Sequence, residues 1–364
     1  LEHAVPDRDA PLIVQLRAAG AIPLARTNMC DFGLRWHTDS YLRGATVNPW
    51  DSSRTPGGSS GGEAVALATG MTPLGVGNDY GGSLRIPAQC CGIASLRPTL
   101  GRVPHATAFL PADVPITLQL MAVQGPMARR VADLRLALKQ MCGGDPRDPW
   151  WTPAPLQRPG VPRRVAVWRG ADEPDVVAGV DAAVAALADA GYEVEDVDPP
   201  DIERAARLWG DLALTDSRLI MGVMRPMFGP DALRFLDTFF QLRPELDKAG
   251  YMQGLIARQG LARAWSLFQV ERPLVLGPVS TRAPFPVGWD LDGSDAVEQI
   301  AASLRLVVSV NLLGLPAAAV PVGVANGLPQ GVQLIGPRYG ESVCLDAAQA
   351  IEDRLGVLTP IDPV

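Results

Sequence analysis

The sequence predicts an α/β protein whose core is a mixed, largely parallel β-sheet flanked by helices on both faces. Three observations carry this. Between residues 57 and 98, glycine-rich turns alternate with small-residue helices and short apolar runs. Residues 164–197 read as strand, helix, strand. The C-terminal stretch returns to two apolar runs and an amphipathic helix. Strands that alternate with helices build a sheet with helices packed on its faces.

The elements follow in order. Residues 9–20 form a helix, with Asp9 as its cap, Pro11 in the first turn and Gly20 at its end. Residues 22–25 make a short buried strand. Residues 30–57 are irregular, and Trp36, Tyr41 and Trp50 argue that this long loop is ordered. Residues 63–69 (EAVALAT) are an alanine-rich helix, residues 74–77 a strand and residues 93–96 another. Residues 145–164, rich in Pro, Arg and Trp, mark a boundary. A strand (164–168), a helix (176–190) and a strand (192–197) come next. Helical patterning fills 201–269, with breaks near Pro226 and Pro244. Residues 317–322 and 331–335 are buried strands, and 342–355 an amphipathic helix.

Composition narrows the function. At 364 residues the chain suits two domains, or one large α/β domain carrying an insertion. The net charge is −7 and no Lys/Arg stripe stands out, which argues against a nucleic-acid surface. No run approaches the roughly 18 apolar residues of a membrane span. Five scattered cysteines without metal spacing suit a reduced, cytoplasmic setting, with Cys90 and Cys91 as core residues. The N-terminus, with neither initiator Met nor signal-peptide order, reads as the middle of a protein. Only two lysines, Lys139 and Lys248, stand against thirty arginines, so any lysine chemistry has few candidates.

Two glycine-flanked serine clusters dominate: Gly57-Gly58-Ser59-Ser60-Gly61-Gly62 and Gly81-Gly82-Ser83. Such turns collect free N–H groups able to hold an anion. A phosphate loop would want a GxxxxGK[ST] lysine, and none lies near; the GxGxxG fingerprint is also absent. The other chemistry is an oxyanion hole for acyl transfer, where each donor is worth about 3–4 kcal/mol. A serine ending that turn is a natural nucleophile, and it needs a base. His37 and His105 keep a Ser-His-Asp arrangement possible on paper, although the GxSxG elbow is missing. His105 reads better as a pocket-wall residue, and His37 as a substrate contact in the aromatic loop.

The stretch PGGSSGGEAVALATGMTPLGVGNDYGGSLRIPAQCCGIASLRPTLGRVP (residues 56–104) resembles the signature of the amidase signature family. Residues 19–29 (AGAIPLARTNM) resemble that family's upstream segment. Residues 314–323 (GLPAAAVPVG) and 331–336 (GVQLIG) resemble its C-terminal core. The resemblance is strong over 6–140, moderate over 300–353 and weak between.

It implies an amide hydrolase with a Ser-cisSer-Lys triad. Ser83 would form the acyl-enzyme, and Ser59, after a cis peptide, would bridge to the base. The N–H groups of Tyr80, Gly81, Gly82 and Ser83 would form the oxyanion hole. Ser60 would support the network, while Asp79 and Arg85 would hold the turn. Trp36, His37, His105 and Phe109 are expected in the substrate pocket, at its mouth. The segmentation is 1–150, first part of the core; 151–295, a variable α/β and helical insertion contributing to the pocket; 296–364, the C-terminal part of the core.

Asn78 and Tyr80 depart from the family's commoner residues but keep hydrogen-bonding capacity. A larger departure is the family's catalytic lysine, which lies upstream of the helix at 9–20 and has no counterpart here. Arg26 cannot replace it, because an arginine stays protonated. No metal and no cofactor are expected. The expected partner is a small-molecule amide, with no nucleic acid and no membrane, and a homodimer is admitted. The rival readings are the amidase subunit of a glutamine-dependent tRNA amidotransferase and a non-catalytic amide-binding pseudoenzyme.

Overall fold

The computed structural model describes residues 5–106, 114–171 and 173–363. The chain runs α1 (Pro11–Ala18), the two-residue strands β1 (Asp39–Ser40) and β2 (Gly44–Ala45), α2 (Gly61–Ala68), β3 (Leu74–Asp79), α3 (Arg85–Cys91) and β4 (Ala94–Arg97). Then come α4 (Ile116–Met121), β5 (Val123–Ala128), α5 (Val131–Met141), β6 (Arg164–Val167), α6 (Pro174–Asp189) and β7 (Glu193–Asp196). Three long helices follow: α7 (Ile202–Met224), α8 (Pro230–Leu242) and α9 (Lys248–Glu271). The remainder is β8 (Leu274–Pro278), α10 (Ser294–Ser303), α11 (Arg305–Leu313), β9 (Ala317–Ala325), β10 (Leu328–Ile335) and α12 (Glu341–Leu355).

Eight strands form one sheet in the order β3-β5-β4-β9-β10-β8-β6-β7. Its two faces are both apolar because successive residues point opposite ways. Val165 and Val167 pack with Val320, Val332 and Leu334 on the face covered by α1, α5, α6 and α12. Ala166, Val275, Ala319 and Ile335 face the other side, where α7 to α11 lie. The mixed sheet flanked on both faces is the architecture expected. Its parallel part is smaller than expected: only β8-β6-β7 pair in parallel, and the other five pairings are antiparallel. One cause is the β9–β10 hairpin, which turns on Asn326-Gly327 with both residues at positive φ, as a type I′ turn demands. The other is β5, which inserts between β3 and β4. Strands from the 1–150, 151–295 and 296–364 segments share this one sheet.

Two local expectations change. Residues 22–25 are not a strand, and Ile22 and Leu24 are 80% and 67% exposed. No described strand pairs with this segment, so its backbone gains no ladder. At α1 the N-cap is Ala10, while Asp9 instead accepts from Arg17 Nη1 at 3.1 Å. Among the described residues no single helix is long and apolar enough to cross a membrane. The bent pair α10–α11 has the length and composition, but it breaks by 66° and buries Val297, Ile300, Leu306 and Val307 in the core.

Candidate active site

Both serine clusters sit at the sheet's end beside β3, and they meet. Ser60 N–H donates to the Ser83 carbonyl at 3.4 Å. Ser59, Ser60 and Ser83 are all buried, at 3%, 7% and 6% exposure. Their hydroxyls hydrogen-bond to no described residue. The Gly58–Ser59 peptide is cis. Glycine is required at 58 because a Cβ there would lie 2.6 Å from the Arg35 carbonyl oxygen and 2.7 Å from the Trp36 carbonyl carbon. The loop at 30–40 thus presses directly on the first cluster. Thr38 fastens it, its hydroxyl donating to the Gly57 carbonyl at 2.8 Å and accepting from Gly61 N–H at 3.1 Å.

The second cluster is organised around Asp79, which is fully buried. Its carboxylate accepts from Arg85 Nε and Nη2, each at 3.0 Å, from Asn311 Nδ2 at 2.7 Å and from the N–H groups of Gly82 (3.0 Å) and Leu84 (3.3 Å). Burial opposes its ionisation, but the Arg85 and Arg97 guanidinium groups outweigh this and hold the carboxyl well below the usual range. Gly82 N–H is therefore already engaged. The N–H groups of Tyr80, Gly81 and Ser83 donate to no described residue, so three of the four expected donors are open and the fourth locks the turn.

The carbonyls of the same turn are pinned from behind. Asp79 O accepts from Arg97 Nη1 at 2.6 Å and from Asn311 Nδ2 at 3.1 Å. Tyr80 O accepts from Trp209 Nε1, and Gly81 O from Trp36 Nε1, both at 3.0 Å. Arg97 comes from β4, Asn311 from α11, Trp209 from α7 and Trp36 from the loop before β1. Trp36 is buried under the turn at 5% exposure instead of standing at a pocket mouth. It packs edge-on to Phe235 at 5.9 Å and lies 6.4 Å from Trp209, which in turn is 5.9 Å from Tyr80. The Tyr80 hydroxyl donates to Thr117 Oγ1 at 2.9 Å, and burial pushes it upward.

His37 is buried behind Gly58, with Nδ1 3.0 Å from Thr55 Oγ1, and burial pushes its pKa down. The His105 backbone N–H donates to Asp148 Oδ2 at 2.9 Å, and burial likewise lowers the imidazole. Phe109 lies outside the described residues. Lys139 is exposed on α5, against the face of the sheet opposite α7, and Lys248 is exposed at the start of α9. Neither is a buried base beside Ser83. Burial raises the thiol of Cys90 to about 12 and Cys91 well above the ordinary value, so both are inert core residues. Among the described residues no group of three or more His, Cys, Asp or Glu side chains is placed to hold a metal ion.

Arg97, Asn311 and Trp209 are the site residues missed by sequence reading. Only Arg97, a charged residue ending an apolar strand, carried a local signal.

A mixed sheet bearing a glycine–serine turn with unpaired N–H groups, faced by a second serine cluster, offers the parts that a hydrolase of acyl groups needs. The family model for the amidases matches residues 1–345, and this chain belongs to that family: it is an amide hydrolase. It is 43% identical over 363 residues to an indoleacetamide hydrolase of Bradyrhizobium japonicum, covering 97% of this chain and 78% of that one. It is 34% identical over 385 residues to a glutamyl-tRNA(Gln) amidotransferase subunit of Thermus thermophilus, covering 97% and 79%. Among solved structures it resembles 6-aminohexanoate cyclic dimer hydrolase, with a TM-score of 0.83 and 26% identity, covering 99% and 80% of the two chains.

Proposed function

We propose that this protein hydrolyses an arylacetamide, of the indoleacetamide type, to the carboxylate and ammonia through an acyl-enzyme on Ser83. The observation that carries the reaction is the turn itself: the buried Ser83 hydroxyl beside the open N–H groups of Tyr80, Gly81 and Ser83. Ser83 Oγ would attack the amide carbon, forming the C–O bond as the carbonyl π pair moves onto oxygen. The Ser83 proton would pass through the Ser59 hydroxyl to a base and return to the leaving nitrogen as the C–N bond breaks. Water would then hydrolyse the ester.

For the base we propose a lysine beyond these 364 residues, buried so that its neutral form persists near neutral pH. The support is that Lys139 and Lys248 are both exposed and that His37 Nδ1 is engaged by Thr55. The arylacetamide class is supported by the 43% identical indoleacetamide hydrolase and by the aromatic rings of Trp36, Trp209 and Tyr80 packed on the turn. A cytoplasmic setting suits five free cysteines.

The test is ammonia release from indole-3-acetamide, phenylacetamide, hexanamide and glutamine, using the protein extended to contain the family's lysine. The arylacetamides should exceed hexanamide by roughly tenfold or more in kcat/KM. Release from glutamine alone would favour the amidotransferase-subunit reading, supported by the 34% identical relative. No release from any amide, with no labelling by a fluorophosphonate, would favour a pseudoenzyme.

A further inference from the structure

We propose that Trp209 is a positioning residue: by holding the Tyr80 carbonyl, its indole N–H aims the Gly81 N–H at the oxyanion. This rests on the amidase reading above and assigns a role to a helix of the 151–295 segment.

The argument comes from planar peptides. In a trans peptide the carbonyl of one residue and the N–H of the next point in opposite directions, so a bond to one fixes the other. Three consecutive peptides of the turn are held this way. The Asp79–Tyr80 peptide is held at its carbonyl by Arg97 and Asn311, two donors on separate elements. The Gly81–Gly82 peptide is held at both ends, its carbonyl by Trp36 and its N–H by Asp79. The Tyr80–Gly81 peptide is held at its carbonyl by Trp209 alone, 3.0 Å away. Its N–H, on Gly81, is open.

Gly81 is also where this indole touches the turn. A Cβ added there would lie 2.8 Å from Trp209 Cζ2, so ring and backbone are in direct contact. Trp209 is 7% exposed and packs against the rings of Trp36 and Tyr80, which fixes the direction of its N–H. An oxyanion donor works only when it is oriented before charge develops, and small misplacements cost heavily. Trp209 lies well outside the glycine–serine motif, and its contribution is made entirely through backbone it does not belong to.

Two replacements separate the N–H from the ring. Trp209→Phe removes the donor and part of the ring. Replacing Trp209 by 3-benzothienylalanine keeps the ring volume and puts sulfur where the N–H was, so it decides the matter even if the Phe variant does not fold. With the arylacetamide that wild type turns over best, both should lower kcat by roughly 10- to 100-fold. KM should stay within about twofold, and the melting temperature of the benzothienyl protein should stay near wild type. Wild-type kcat in a folded benzothienyl protein overturns the proposal while leaving the amidase reading intact, as does a loss confined to KM or to melting temperature. An extended wild-type protein, containing the family's lysine, that turns over no amide overturns both.

Discussion

Arg85 grips Asp79 with two nitrogens, Nε on one carboxylate oxygen and Nη2 on the other, each at 3.0 Å, and neither side chain is exposed to solvent. Six residues apart in sequence, they close the turn that carries Ser83. The same carboxylate accepts from the Gly82 and Leu84 N–H groups, so one anion sets the backbone direction immediately before and after the serine. Arg85 also reaches Asn311 Oδ1 at 2.7 Å and Gln333 Oε1 at 2.8 Å, tying the turn to α11 and β10.

Removing that charge should be costly. Asp79→Asn leaves Arg85 and Arg97 buried without a counter-ion, and breaking such a cluster typically costs about 3–5 kcal/mol. Urea unfolding should show a loss of that order. A loss below about 1 kcal/mol would mean the cluster is far better solvated than its burial implies.

Gly58 should tolerate no side chain. A Cβ there meets the backbone of Arg35, Trp36 and His37, none of which can rotate away. Gly58→Ala should cost about 1–3 kcal/mol or more and lower soluble yield. Gly222, whose Cβ would meet nothing within 4 Å, is the control, and its Ala variant should melt within a few degrees of wild type.

Histidine should affect stability without supplying the base. Burial holds His37 and His105 below the ordinary imidazole value, so the unfolded chain binds protons first as pH falls. Their contribution is complete above about pH 6.5 and lost below it. His37→Asn should flatten the fall in melting temperature between about pH 6.5 and 5, while the acid limb of kcat/KM stays where it was. Disappearance of that limb would make His37 the base.

The two lysines should be dispensable. Both are exposed. The double variant Lys139→Met, Lys248→Met should keep kcat within about twofold of wild type. A drop of roughly 10²–10⁴-fold, the usual loss of a general base, would place the base inside these 364 residues.

What was legible in the sequence was whatever the backbone demands locally. Gly57 to Gly62 and Gly81 to Ser83 stand out because close approach admits only small residues, and α2, α6 and α12 because their apolar periodicity is local. What was not legible came from elsewhere in the chain. Trp209 lies 129 residues from Tyr80 and Asn311 lies 232 from Asp79, and nothing near either marks it as a partner of the turn. Residues 22–25 read as a buried strand because they are apolar, but a strand also needs a neighbour to bond. The antiparallel pairings were hidden because β5 (VQGPMA), carrying Gly and Pro, lacks a strand's usual residues. The Asn326-Gly327 hairpin carries a turn dipeptide that the sequence reading passed over.

The central claim, an acyl-enzyme on Ser83, has a direct measurement. The extended protein is mixed with phenylacetamide, quenched in acid during turnover and cut after Tyr80, which separates Ser83 from Ser59 and Ser60. Mass spectrometry should find the phenylacetyl group on the Ser83 fragment, and Ser83→Ala should abolish both adduct and turnover. The adduct on the fragment holding Ser59 and Ser60, with Ser83 unmodified, would contradict the account.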